Sequence, residues 1–215
     1  MSTSQPNPLG IEAAPALGDF ARVYDAGKSQ VVATRLVADL ETPVSAYLKL
    51  RSQRPPSFLL ESVEGGAVRG RYSIIGLAPD IIWRASGDVA EIDRDALSGK
   101  GRFVREAAPA LTSLRALLED SRIELSDALP PMAAGVFGYM GYDTIRLIER
   151  LPNIPPDALG VPDAILVRPT VMVIFDAVKD EMTVTTPVRP VAGLGAAEAY
   201  QAALARLADV VSELD

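Results

Sequence analysis

The chain has 215 residues, 48% of them hydrophobic, with 21 basic and 28 acidic side chains and a net charge of −7. That length holds one large domain or two small ones around a sizeable core, and the apolar fraction is that of a globular protein rather than a disordered one. The acidic balance, with a pI of about 4.8 and no Lys/Arg cluster denser than Arg51 to Arg54, does not favour nucleic acid.

No apolar run approaches the roughly 18 residues needed to cross a bilayer. The N-terminal MSTSQPNPLG lacks the basic start and apolar stretch of a signal peptide, so a soluble cytoplasmic protein is expected. Cysteine and histidine are both absent. The first absence removes disulfides, thiolate nucleophiles and Cys-bearing zinc sites. The second removes the side chain most used for proton transfer near neutral pH. Any acid–base chemistry falls to Asp, Glu, Lys or Tyr, or lies in another part of the protein.

In chain order, residues 1–17 are rich in Pro, Ser, Ala and Gly and read as a mobile tail. A short strand is expected over Val31 to Leu36. Thr42-Pro43 reads as an N-cap followed by proline at the first helical position. The apolar stripe Val44, Tyr47, Leu48 carries that helix to about Arg51, and Pro55-Pro56 stops it. Strands follow over Ser57 to Val63, Tyr72 to Leu77, Asp80 to Arg84 and Val89 to Ile92. They are separated by turn signals at Gly65-Gly66, Ala78-Pro79 and Ser86-Gly87-Asp88, and links this short imply antiparallel pairing.

Pro109 opens a second helix with Leu111, Leu114 and Leu118 on one face. After GVFGYMGYD, residues 135–143, a Pro-rich link leads to a long hairpin. Its strands run over Ala164 to Phe175 and Glu181 to Pro187, turning near Val178-Lys179-Asp180. Ala196 to Leu214 is helical, with Tyr200, Leu204, Leu207, Val211 and Leu214 spaced by three and four. It carries no Gly or Pro stop, which suggests a cut end rather than a natural one.

Two glycine-rich stretches invite ligand readings. Gly65 and Gly70 have phosphate-loop spacing, but Arg71-Tyr72 stands where Lys and Ser/Thr are required, and a strand rather than a helix follows. Nucleotide binding is rejected. The glycines at 135, 138 and 141 match neither the dinucleotide fingerprint nor the spacing of membrane helix dimers, and they read as a packed strand with close backbone approach.

Glu61-Ser62 poses the sharper question, because a carboxylate ends the apolar run Phe58-Leu59-Leu60. The plain reading is a solvated strand end. The functional reading is a site for a small zwitterion. Glu61 offers an acceptor for an ammonium, Arg71 a cation for a carboxylate, Ser62 and Ser73 hydroxyls, and Leu60 and Tyr72 an apolar wall. Strand alternation points Glu61 and Ser62 to opposite faces, so both can meet one ligand only where the chain bends or the ligand bonds to backbone.

The segments ETPVSAYLKLR (41–51), FLLESVEGGAVRGRYSIIGLAPD (58–80) and GVFGYMGYDTIRLIERLP (135–152) resemble the N-terminal region of anthranilate synthase component I, in the expected order over residues 18–190. The resemblance implies an α+β fold, with antiparallel strands and flanking helices contributing to a larger two-sheet assembly. It also implies that the LLES segment forms part of a feedback site for L-tryptophan, which raises the zwitterion reading of Leu60, Glu61, Ser62, Arg71, Tyr72 and Ser73 above the plain one.

That family is a lyase converting chorismate and glutamine or ammonia to anthranilate and pyruvate, in tryptophan biosynthesis. By the same resemblance, residues 18–190 form a regulatory domain, and 191–215 lead toward a chorismate-binding domain. That domain would carry the acid–base residues and the Mg²⁺ ligands, so no catalytic or metal residue is assigned here and this chain alone is expected to be inactive. The implied partners are L-tryptophan, the chorismate-binding domain and a glutamine amidotransferase subunit, with no nucleic acid and no membrane. Two alternatives stay open: the related aminodeoxychorismate synthase, and a free-standing amino-acid-binding module.

Overall fold

Thr42 starts the first predicted helix as its sequence suggests. Its hydroxyl accepts from Ser45 N at 3.1 Å while its own N–H donates to Ser45 Oγ at 2.9 Å, so two of the N–H groups that a helix start leaves unpaired are satisfied reciprocally. The computed structural model describes residues 12–63, 69–154 and 156–214, the side chains of Gln53, Val63 and Arg69 excepted.

The elements in chain order are α1 (Leu17–Asp25), β1 (Gln30–Val37), α2 (Pro43–Leu50), β2 (Phe58–Val63), β3 (Arg69–Ser86), β4 (Val89–Asp93) and β5 (Val104–Arg105). They continue with α3 (Ala110–Ser121), β6 (Phe137–Met140), β7 (Ala164–Asp176), β8 (Glu181–Val188) and α4 (Ala196–Leu214). The hydrogen-bonded strand order is β1-β8-β7-β3-β4-β5, with β2 on β3 and β6 on β7. The fold is α+β with antiparallel strands and flanking helices, as the sequence predicts.

Backbone contacts divide the chain into two units, and β3 and β7 each contribute to both. The first comprises residues up to Ala78, Ile123–Ala134 and Thr170–Asp215. Its core lies between the β1, β7 and β8 ladder and helices α1, α2 and α4, with Phe20, Val32, Leu50, Ile75, Val173 and Leu207 all closed to solvent. Each such Leu or Ile withdrawn from water stabilises the fold by roughly 1.5–3 kcal/mol. Two cations grip the end of α4: Lys49 Nζ donates to Leu214 O at 2.5 Å, and Arg54 pairs with Glu213 at 2.5 and 2.8 Å. Positive groups are favoured there because the last helical carbonyls are unpaired.

The second unit comprises Pro79–Arg122 and Gly135–Pro169. Trp83 is its largest buried side chain, packed with Ile81, Ile92, Leu114 and Leu117. The buried Arg168 forks onto Asp80 with two 2.8 Å bonds and reaches Asp120 at 3.1 Å. The Gly138 region is the packed strand that the sequence predicts: a Cβ at Gly138 would stand 2.0 Å from Ile165 O across the β6–β7 ladder.

Several expectations change. Residues 1–11 of the expected tail and the Gly65-Gly66 turn lie outside the described residues. From Ala14 onward the chain is bridged to Ala33 by two main-chain bonds, and α1 begins at Leu17, inside the expected tail. Ala78-Pro79 does not reverse the chain. β3 runs on through it, with Ala78 at φ 46° and its carbonyl accepting from Thr170 Oγ1 at 2.6 Å, while Pro79 brings no N–H that would need a ladder partner.

Helix faces also shift. α3 buries Ser113, Leu114, Leu117 and Ser121 rather than Leu118, because Ser113 accepts the Trp83 indole N–H at 3.0 Å and Ser121 reaches Arg168. In α4 the inward residue is Val210, not Val211. In α2 the inward residues are Ala46 and Leu50, with Val44 and Leu48 exposed.

Candidate functional site

β2 and β3 pair regularly from Phe58↔Gly76 through Leu59↔Ile75 and Leu60↔Ile74 to Glu61↔Ser73. Apolar β-formers drive this stretch. On one face Leu59 packs against the core beside the buried Ile75; on the other the Phe58 ring lies over Gly76, where a Cβ would be 2.2 Å from the ring. Alternation then places Glu61 and Ser73 as a directly opposed pair on the face of Leu59 and Ile75, at the solvent end of the ladder. Leu60, on the other face, is 46% exposed.

Past Glu61 the register breaks. The two steps from Glu61 to Val63 are matched by the four from Ser73 to Arg69, so β3 bulges opposite Ser62. The sequence asks for a bend at Glu61-Ser62 if both are to serve one ligand; the irregularity found beside them has its extra residues in β3, opposite Ser62. It depends on Gly70: a Cβ there would lie 2.1 Å from the Ser62 carbonyl oxygen and 2.2 Å from its hydroxyl oxygen.

Arg71 stands within the bulge and is engaged. Its Nε donates to Asp176 Oδ1 and Oδ2 at 3.0 and 3.2 Å, and its Nη2 to Oδ2 at 2.8 Å. Its guanidinium carbon also lies 4.8 Å from the Tyr72 ring centroid, a cation–π contact. The Arg71 hydrogen bonds hold the Asp176 carboxyl below its ordinary value near 3.8, against the opposing effect of burial and with help from the Val178 and Lys179 N–H groups. In return Asp176 raises the guanidinium further above its ordinary range.

Of the six residues expected at the site, Glu61 and Ser73 are brought face to face, and Ser62, Arg71 and Tyr72 surround the bulge beside them. Leu60 lies on the opposite face of β2, so the regular part of the strand does not place it with Glu61. Asp176 was missed. Its only sequence signal is the turn-opening position in FDAVKD, 105 residues from Arg71.

A cavity of about 560 Å³ opens elsewhere, along β1, lined by Ala14, Pro15, Val31, Ala33, Arg35 and Leu129 among others, and none of the six expected residues lines it. Among the described residues no three His, Cys, Asp or Glu side chains gather as metal ligands, and no helix is long and apolar enough to cross a membrane. What the Glu61 end of the ladder supplies is a carboxylate, two hydroxyls and an aromatic ring. That set suits an ammonium-bearing ligand.

No protein-family model matches the chain. Individual relatives do. Anthranilate synthase component 1 of Cereibacter sphaeroides is 50% identical over 196 residues, which make up 91% of this chain and 39% of that protein. The protein of the same name from Thermus thermophilus is 42% identical over 155 residues, 71% of this chain and 31% of the relative. This chain therefore spans well under half the length of the curated relatives it matches. The crystal structure of anthranilate synthase component I from Streptococcus pneumoniae TIGR4 covers 83% of this chain, and the chain covers 36% of it, with a TM-score of 0.51. At 24% identity that likeness speaks for the fold alone. Half identical to one such protein across nine-tenths of its own length, this chain belongs to the anthranilate synthase component 1 family.

Proposed function

We propose that this chain is the tryptophan-sensing N-terminal region of an anthranilate synthase component 1. The observation that carries the reading is the opposed Glu61–Ser73 pair beside the bulge at Ser62. A carboxylate placed at a solvent-facing strand end, next to two hydroxyls, offers the acceptors an amino-acid ammonium needs. Glu61 takes the ammonium, Ser62 and Ser73 donate to the ligand carboxylate, and Tyr72 supplies the apolar wall.

In this reading residues 18–190 form the regulatory domain and 191–215 lead toward a chorismate-binding domain, all within a larger two-sheet assembly. The whole enzyme converts chorismate, with glutamine or ammonia, to anthranilate and pyruvate. It works in the cytoplasm with a glutamine amidotransferase subunit. The acid–base groups and the Mg²⁺ ligands belong to the chorismate-binding domain, so residues 1–215 alone do not turn over chorismate. Tryptophan acts by binding one state of the enzyme better than the other, a coupling that changes inhibition without touching the reacting atoms.

The test is calorimetric titration of the protein, as its gene encodes it, with L-tryptophan. Saturable binding that indole alone does not reproduce supports the reading. Absence of binding removes it.

A further inference from the structure

The sequence casts Arg71 as the cation for a ligand carboxylate, yet its guanidinium already holds one. Asp176, the last residue of β7 and 8% exposed, takes both Nε and Nη2 of Arg71 in a fork. The same carboxylate accepts Val178 N at 3.1 Å, which fixes the turn between β7 and β8. The main chain repeats the link, since Ala177 N donates to Arg71 O at 2.8 Å. The β7–β8 turn thus grips the bulge of β3 by side chain and backbone together, at the point where β3 loses its regular register with β2.

Resting on the tryptophan-site reading, we infer that Asp176 is a positioning residue: through Arg71 it holds the bulged strand end so that Ser62, Tyr72 and Ser73 face the ligand, and Arg71 acts by place rather than by contact. A ligand carboxylate could take the Nε–Nη2 edge of Arg71 only by displacing Asp176, exchanging one carboxylate for another and leaving a buried acid without its cation. The fork also sets where Tyr72 lies, since the guanidinium covers its ring at 4.8 Å. Loss of Asp176 frees the Arg71 and Tyr72 side chains together, at a bulge where cross-strand pairing with β2 does not fix them.

The two roles for Arg71 give opposite signs for one substitution. If Asp176 positions the site, Asp176→Asn weakens L-tryptophan and tryptamine alike, by roughly 2- to 30-fold, the range of changes that act through coupling rather than contact. Arg71→Met does the same, and the double variant is no worse than either single one, because both remove one clamp. If Arg71 were the direct carboxylate ligand through the edge that Asp176 holds, Asp176→Asn would release it and tighten tryptophan, while Arg71→Met would penalise tryptophan and spare tryptamine.

The experiment is calorimetry with both ligands on the gene-encoded protein, together with amide hydrogen exchange over residues 69–73 without ligand. Exchange there is expected to rise in Asp176→Asn while that of α4 stays unchanged, which also reports that the variant folds. Should Asp176→Asn fail to fold, Arg71→Lys keeps the charge but loses the fork, and is expected to weaken both ligands. Tightened or unchanged tryptophan binding in Asp176→Asn, unchanged exchange over 69–73, or wild-type affinity in Arg71→Lys overturns the inference. A wild-type protein that binds no tryptophan removes instead the reading on which it rests, whereas binding lost in Glu61→Gln but intact in Asp176→Asn removes the inference alone.

Discussion

Gly70→Ala isolates the bulge from the rest of the site. The added Cβ would stand 2.1 Å from the Ser62 carbonyl oxygen, below the 3.0 Å that real Cβ contacts keep, so the strands must part by about 0.9 Å (3.0 less 2.1). The obstacle is backbone, and no side-chain rotation relieves it. Overpacking of this kind costs about 1–3 kcal/mol. With a urea slope of about 2–3 kcal/mol/M, a loss of about 2 kcal/mol lowers the unfolding midpoint by somewhat under about 1 M. Gly18→Ala is the matched control, because it sits in α1 with nothing within 4 Å of its added Cβ. Alanine raises helix propensity by up to about 1 kcal/mol, so Gly18→Ala is expected to be neutral or stabilising. Urea melts of both variants, paired with tryptophan titration, are expected to give a lowered midpoint and weaker ligand binding only for Gly70→Ala. A Gly70→Ala protein with wild-type midpoint and wild-type binding refutes the close approach at Ser62.

Leu207→Ala empties a site closed to solvent in the first unit and is expected to cost about 2–5 kcal/mol, read as a lowered urea midpoint with unchanged slope. Ser113→Ala strips the buried Trp83 indole N–H of its acceptor in the second unit. The expected loss is about 1–3 kcal/mol, and fluorescence of Trp83, the single tryptophan, reports it. Acid should loosen the clamp on the bulge. The folded-state pKa of Asp176 lies below its ordinary value near 3.8, so its stabilisation is complete above that value and is lost as pH falls through the lower folded value. Exchange over residues 69–73, corrected for the intrinsic pH dependence of amide exchange, is therefore expected to hold steady from pH 7 to 5 and to rise below about pH 4; a rise between pH 7 and 5 would contradict the assignment.

Local chemistry made some of this legible in the sequence. The Thr42-Pro43 cap, the β-rich run FLLES and the three-and-four spacing of α4 each act within a few residues, and each element forms where it was read. The misses are tertiary. Phe20 and Tyr24 form the buried face of α1, but they follow a Pro- and Ala-rich lead that reads as tail. Ser113 and Ser121 turn inward because Trp83 and Arg168 supply partners that no helical stripe of leucines reveals. At the site, alternation exposed the conflict between Glu61 and Ser62 and so asked for a bend, while the register break beside them lies in β3, where no signal in the β2 residues could show it. The role of Arg71 was hidden because Asp176, its partner, lies 105 residues away and declares itself only as a turn residue.

The central claim, that Glu61 holds the ammonium of tryptophan, is tested most directly by calorimetry on Glu61→Gln with two ligands. Gln keeps the size and an acceptor oxygen but removes the charge. L-Tryptophan is expected to weaken by about 10- to 150-fold, the worth of one hydrogen bond to a charged group, while indole-3-propionate, which has no amino group, loses little. Equal losses for both ligands, or none for tryptophan, would contradict the assignment of Glu61.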